Sequence, residues 1–190
     1  ETYKDQENNW RSPDEVTTKD GKNYFLKSDN SNKIFVGSSE SMSKSKKNTI
    51  DPEGIIENYG ADSVRLFILS DSPPEKDVQW SEQGMKASYK FLQKLWLLHQ
   101  KIKEKINLKN ISNDQLNNIS KFTNQLIDKV TNNLEKFHYN GIVANLYETY
   151  NFMIKVINQP LDQKDLLLNY KKILYLMMPI VPHFASECLE

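Results

Sequence analysis

From Ser81 to the last residue, apolar side chains return every three or four positions, a spacing that leaves a packed set of helices as the natural solution. At about 100° per residue, Met85, Tyr89, Leu92, Leu95, Trp96, His99, Ile102 and Ile106 share one broad face. Lys86, Lys90, Lys94, Lys101 and Lys105 share the opposite one, and Glu104 is the only acid between Met85 and Lys109. A second helix is predicted to open at Ser112-Asn113-Asp114-Gln115, a capping-box pattern, and to run through Leu116, Ile119, Phe122, Leu126, Val130, Leu134 and Phe137. Asn140-Gly141 suits a hairpin turn. The helical spacing of Ile142, Leu146, Tyr150, Met153 and Ile157 makes Asn140 the N-cap of a third helix instead, which Pro160 ends. Asp162 caps a fourth, carrying Leu166, Tyr170, Ile173 and Met177. Pro179 and Pro182 break it, and a last helix starts near His183. Residues 81–190 are therefore expected to form an antiparallel helical bundle.

The first 80 residues read differently. Asp20-Gly21 and Asp29-Asn30-Ser31-Asn32 are turn clusters, while Tyr24-Phe25-Leu26 and Ile34-Phe35-Val36 suit strands. Asn9-Trp10-Arg11-Ser12-Pro13 fits no regular element, and Pro13 argues against a central strand. Helix signals then begin: Asp51 as N-cap, Pro52 at the first helical position, Glu53 in the first turn and Gly60 at the end. A second short helix takes its apolar surface from Val64, Leu66, Phe67 and Ile68, and Asp71-Ser72-Pro73-Pro74 stops it. The fold class is mostly α, with a short stranded segment and two short helices leading into the bundle and a division near Trp80.

Lysine plus arginine and aspartate plus glutamate are both 25, so the formal net charge is zero and any polyanion site must be a local patch. Cys188 is the only cysteine, which excludes an internal disulfide and a thiolate-rich zinc site and fits a reducing, cytoplasmic compartment. The three histidines have no metal-ligand spacing, no apolar run is long enough to span a membrane, and no signal peptide is visible. The chain does not begin with Met and stops within a helical pattern, so a fragment of a longer protein is expected.

The stretch Ser39 to Asn48, SESMSKSKKN, holds four serines and three lysines. It offers no acid–base pair and no activated nucleophile. It concentrates ammonium groups and hydroxyl donors on small residues, the parts that neutralise charge on phosphate oxygens. There is no glycine-rich cradle of the P-loop kind. Composition alone leaves a solvated surface loop as the ordinary reading.

Met42-Ser43-Lys44-Ser45-Lys46-Lys47-Asn48, then Asp51-Pro52, then Tyr59-Gly60-Ala61-Asp62-Ser63-Val64-Arg65-Leu66-Phe67, resembles the KMSKS region of class I aminoacyl-tRNA synthetases. The block from Ser72-Pro73-Pro74 to Gly84, with Phe91-Leu92 and Leu95-Trp96, resembles the bacterial leucyl-tRNA synthetase branch, and the likeness extends over nearly the whole chain. It implies a piece of a larger α/β enzyme: residues 1–80 from the C-terminal part of the catalytic domain, and 81–190 from the helical tRNA-binding bundle. The implied reaction joins leucine and ATP into leucyl-adenylate and passes the leucyl group to tRNA(Leu), with Mg2+ accompanying ATP and the protein acting as a monomer. The loop would bind ATP through Ser41, Met42, Ser43, Lys44, Ser45 and Lys46, with Lys44 as the main catalytic cation. One departure is plain: Ser41 stands where the motif has its first Lys. Either Lys46 or Lys47 compensates, or the loop closes more weakly, or the copy of the motif is degraded.

Other features have ordinary readings beside functional ones. The lysine stripe (Lys86, Lys90, Lys94, Lys101, Lys105) is a solvated helix face or a track for the tRNA backbone. Arg65 is expected to pair with Asp62, the alternative being a contact to the active site; Trp10, Trp80 and Trp96 are expected to anchor packing rather than stack on bases; His99 to sit in the core; and His138 and His183 to cap or pack at helix starts. Cys188 reads as a small buried residue. The segment alone is not expected to aminoacylate. The competing classes are a non-catalytic tRNA-binding module derived from a synthetase and a helical interaction protein with a regulated Ser/Lys loop.

Overall fold

A computed structural model describes residues 1–71, 73–107, 118–160 and 162–190. The expected capping box at Ser112-Asn113-Asp114-Gln115 with Leu116, and Ser72 of the expected proline stop, lie outside the described residues. The chain forms two compact units, Glu1–Glu53 and Gly54–Glu190.

The first unit is a five-stranded antiparallel sheet of order β2-β1-β5-β4-β3. Its strands are β1 (Thr2–Lys4), β2 (Trp10–Arg11), β3 (Val16–Thr18), β4 (Tyr24–Leu26) and β5 (Asp29–Gly37). Val16, Leu26 and Ile34 make a small core under Tyr3 and Tyr24. The reversal from β1 to β2 is organised by buried Asp5, which accepts from the Asn9 amide (2.8 Å), the Glu7 amide (3.0 Å) and Arg11 Nε (2.9 Å).

Two expectations here are corrected. Trp10–Arg11 is a strand, at the sheet edge where the following Pro13 interrupts no central ladder. Asp29-Asn30-Ser31-Asn32 is not the turn but the start of β5; the reversal falls one step earlier, at Lys27-Ser28, and a register shift opposite Phe25 and Leu26 takes up the extra polar residues.

The second unit is helical. Asp51 Oδ1 accepts the Glu53 amide (3.1 Å) where α1 (Pro52–Tyr59) begins. Gly60 ends that helix with φ +77°, a left-handed conformation that a side chain would oppose. It is followed by α2 (Ala61–Asp71), α3 (Glu82–Asn107), α4 (Ile119–Glu135), α5 (Tyr139–Val156), α6 (Gln163–Met177) and α7 (Pro182–Leu189). Helix α2 packs on α3 and α5, inside the compact unit that begins at Gly54. Pairs along α4 and α5 run in opposite directions: Lys129 to Glu148 (2.9 Å) and Asn133 to Asn145 (3.1 Å). Helices α3 and α6 do the same, through His99 to Tyr170 (2.9 Å) and Gln163 to the Lys105 carbonyl (3.4 Å).

Leu95, Ile102, Ile142, Leu146, Leu166 and Ile173 are almost fully buried at the centre. The buried stripe of α3 is rotated from the expected one: Ser88, Phe91 and Leu98 lie inside it, whereas Trp96 is 40% exposed. Phe91 takes the inner place because its ring stacks on Tyr147 (3.8 Å) and meets Tyr150 edge-on (5.7 Å). His99 is buried as expected, its Nδ1 against the Tyr170 hydroxyl, and burial pushes its pKa down, favouring neutral imidazole. Cys188 is half-buried, its thiol pushed up to about 12, chiefly by desolvation.

Three helix ends also differ. Phe137 has φ +56° and lies beyond α4, 61% exposed. His138, not Asn140, is the N-cap of α5, which ends at Val156, before Pro160. Asp162 caps α6 by accepting the Asp165 amide (2.9 Å), as expected.

Arg65 does not pair with Asp62. It donates to the carbonyls of Pro179 (2.7 Å) and Ile180 (3.1 Å). Asp62 accepts the Phe184 amide (2.7 Å) and His183 Nδ1 (2.8 Å), with the His183 amide at 3.4 Å. Buried Asp62 thus supplies the N-terminal cap that α7 lacks within its own segment. Asp62→Ala is expected to destabilise the unit by roughly 2–3 kcal/mol, because charge-assisted hydrogen bonds are lost and α7 amides are left without an acceptor. Urea unfolding checks it; a loss below about 0.5 kcal/mol would show that the cap contributes little.

Candidate functional site

The chain leaves β5 at Gly37, and Ser39 to Asn48 form a loop that closes on itself through one side chain. Asn48 is 7% exposed, and its amide works in both directions. Its Oδ1 accepts the Ser43 amide (2.7 Å), while its Nδ2 faces the carbonyls of Ser41 (3.3 Å) and Glu40 (3.5 Å). These hydrogen bonds tie the two ends of the loop together across a single turn of 3₁₀ helix at Lys44–Lys46. Lys47 then reverses the backbone in the left-handed region, φ +51°.

With the backbone so held, the side chains separate by role. Ser41 and Met42 are exposed, Met42 by 51%, and Ser43 is half-buried with its hydroxyl 2.7 Å from that of Ser45. Lys46 is ion-paired to Glu40, and Lys47 Nζ lies 3.9 Å from Glu15. The Lys46 ammonium holds the Glu40 carboxyl below its ordinary pKa. Glu15 is also lowered, first by the Ser12 amide and further by Lys47. Lys44 is exposed and has no carboxylate partner among the described residues. Of the loop's three ammoniums, Lys44 is therefore the one available to an incoming anion without an exchange. Lys46 and Lys47, the cations nearest the charge absent at Ser41, are both drawn to carboxylates.

The structure brings Ser41, Met42, Ser43, Lys44, Ser45 and Lys46 onto one small loop. Sequence reading missed Asn48 and Glu40, which shape it. A buried Asn at a loop end has no periodic signature, and Glu40 was legible only as an acid near lysines.

The lysines of α3 form a second candidate surface. Lys86, Lys90, Lys94 and Lys101 are exposed, while Lys105 is half-buried. Lys86 is held by Glu82 one turn earlier (3.2 Å). Leu97, 61% exposed, falls within the same stripe. Among the described residues, no group of three or more His, Cys, Asp or Glu is placed to hold a metal ion, and no helix is long and apolar enough to cross a membrane.

The sequence pattern of the family described as tRNA synthetases class I (I, L, M and V) matches residues 34–81, a span that contains the loop. That of the anticodon-binding domain of tRNA ligase matches residues 116–190. Loop and bundle together define a segment of a class I aminoacyl-tRNA synthetase. The leucine–tRNA ligase of Bartonella quintana is 40% identical over 199 residues, covering 99% of this chain and 22% of that protein. That of Rickettsia massiliae is 39% identical over 188 residues, covering 98% and 22%, and that of Parvibaculum lavamentivorans is 36% identical over 202 residues, covering 100% and 23%. The chain belongs to the leucyl-tRNA synthetase family and spans about a fifth (22–23%) of the length of these curated relatives. The fold is also that of an Agrobacterium radiobacter LeuRS, solved as a ternary complex with tRNA and LeuAMS, with a TM-score of 0.67 at 24% identity over 78% of this chain and 20% of that one.

Asn48→Ala is expected to free the Ser43 amide, raising its hydrogen exchange about fivefold or more while amides of the helical core stay protected. Unchanged exchange at Ser43 would show that the loop closes by other means.

Proposed function

We propose that the chain is the part of a leucine–tRNA ligase that closes over the phosphates of ATP and begins the tRNA-binding bundle. In this reading residues 1–80 complete the catalytic domain and 81–190 belong to the bundle. The complete protein activates leucine with ATP to leucyl-adenylate and transfers the leucyl group to tRNA(Leu). It acts as a cytoplasmic monomer, and Mg2+ enters with the ATP phosphates. The observation that carries the reading is the loop: within the span matched by the class I pattern, Asn48 ties its ends and Lys44 is presented without a carboxylate partner among the described residues.

Lys44 contributes by electrostatics. As the pyrophosphate leaves, negative charge builds on its oxygens, and an ammonium that has no carboxylate to abandon stabilises it at little reorganisation cost. The Ser43 and Ser45 hydroxyls donate hydrogen bonds without crowding the phosphates, and Met42 supplies an apolar surface at the loop entrance. No covalent enzyme intermediate is needed, since the carboxylate of leucine is itself the nucleophile toward the α-phosphate and positioning does the remainder. On α3, Lys86, Lys90, Lys94, Lys101 and Lys105 track the tRNA backbone through charge alone, which fixes register without reading sequence.

In the complete enzyme, Lys44→Ala is expected to lower leucine-dependent ATP–pyrophosphate exchange about 100-fold or more. Near-normal exchange would remove Lys44 from this role. Ser41→Lys, which restores the motif cation, is expected to raise the same rate; no change would mean that Ser41 is no deficit. Neutralising the five α3 lysines together is expected to flatten the salt dependence of tRNA binding, by up to about 0.7–0.9 in log–log slope for each phosphate that a lysine no longer neutralises. An unaltered slope would leave the stripe as a solvated face.

A further inference from the structure

The loop holds its second cation in reserve, and the reserve has a named holder. Glu40 and Lys46 are an ion pair whose side chains are each a little over one-third exposed (37% and 36%). Their meeting is not an accident of two mobile side chains. Asn48 fixes the backbone on both sides of it, through the carbonyls of Glu40 and Ser41 and the amide of Ser43. The adjacent Lys47 is drawn toward a different acid, Glu15, at 3.9 Å. Two of the loop's three ammoniums thus rest on carboxylates, and where the motif expects a further lysine, at position 41, the chain has a serine.

We propose that Glu40 is a positioning residue that occupies Lys46 in the resting loop and releases it to the phosphates of ATP. This rests on the loop being the ATP-phosphate site. An ion pair this exposed is weak enough to be exchanged, because water and salt screen it and two long side chains lose entropy in holding it. A triphosphate offers Lys46 more negative charge than one carboxylate does. Lys46 therefore moves from Glu40 to the ligand, making up part of the charge missing at Ser41, and returns when pyrophosphate leaves. Glu40 sets what that transfer costs, so it acts on ATP affinity and leaves turnover alone.

The test uses the complete synthetase and leucine-dependent ATP–pyrophosphate exchange, with KM for ATP and kcat measured separately. Glu40→Gln is expected to lower KM for ATP about two- to fivefold, the range set by one exposed ion pair, at unchanged kcat. Glu40→Asp, which keeps the charge, is expected to return KM toward the starting value. In a Lys46→Ala background, Glu40→Gln should have no further effect on KM, since nothing remains to be released. An equal drop in KM with and without Lys46 would overturn the proposal, because Glu40 would then act on the nucleotide directly. So would no change in either background. A crippled Lys44→Ala enzyme with an inert Glu40→Gln would sink only the role of Glu40. Lys44→Ala with full exchange activity would remove the ATP site itself.

Discussion

The helical unit turns on Asp62 and Arg65, three residues apart on α2. Between α6 and α7 the chain runs through Pro179 and Pro182, neither of which has an amide proton to donate. That break leaves carbonyls without helical partners after α6 and amides without them in the first turn of α7. Asp62 accepts the amides and Arg65 donates to the carbonyls. Each charge sits at the helix end whose dipole favours it, the carboxylate at an N-terminus and the guanidinium just past a C-terminus. One turn of α2 thereby completes two helix ends more than a hundred residues away and fixes where α6 and α7 lie against α2.

This arrangement also shows where reading the sequence stops. An Asp and an Arg three apart on a helix invite a local pair, the simplest partner that sequence offers. The competing acceptors and donors belong to a proline break far along the chain, and no local pattern announces them. Periodicity did reveal the helices, because burial of one face repeats along each segment. It misjudged the centre of that face on α3, since Trp96 and Phe91 are both large and apolar. In the fold Phe91 is buried against Tyr147 and Tyr150 and Trp96 stays 40% exposed, tertiary contacts that the local pattern does not announce. The strand start at Asp29 was hidden for a different reason: Asp, Asn and Ser favour turns intrinsically, and pairing with β4 overrides that preference.

The loop was legible in composition and in resemblance, but its working parts were not. Four serines and three lysines look interchangeable as letters. In the fold they differ sharply: Lys44 faces solvent, Lys46 rests on Glu40, Lys47 leans toward Glu15, and the Ser43 amide is taken by Asn48. The residue that ties the loop's backbone together is the buried Asn48. Its amide both donates and accepts, so it can satisfy an N–H and C=O groups at once where a carboxylate could only accept.

A chain with no net charge has no long-range field to draw an anion to it. Its charges have to be sorted locally, and two modes of sorting are present. On α3 lysines outnumber acids, with Glu82, which holds Lys86, and Glu104 the only carboxylates on the helix, so the surface is basic as it stands. In the loop, acids and lysines are interleaved: Lys44 is presented without a carboxylate partner among the described residues, while Lys46 and Lys47 rest on Glu40 and Glu15. A standing patch suits a long backbone that binds through many weak interactions, because no single one has to be exchanged. An exchangeable pair suits a small ligand that must be gripped and then let go, because the returning carboxylate competes with the bound phosphate for the same ammonium.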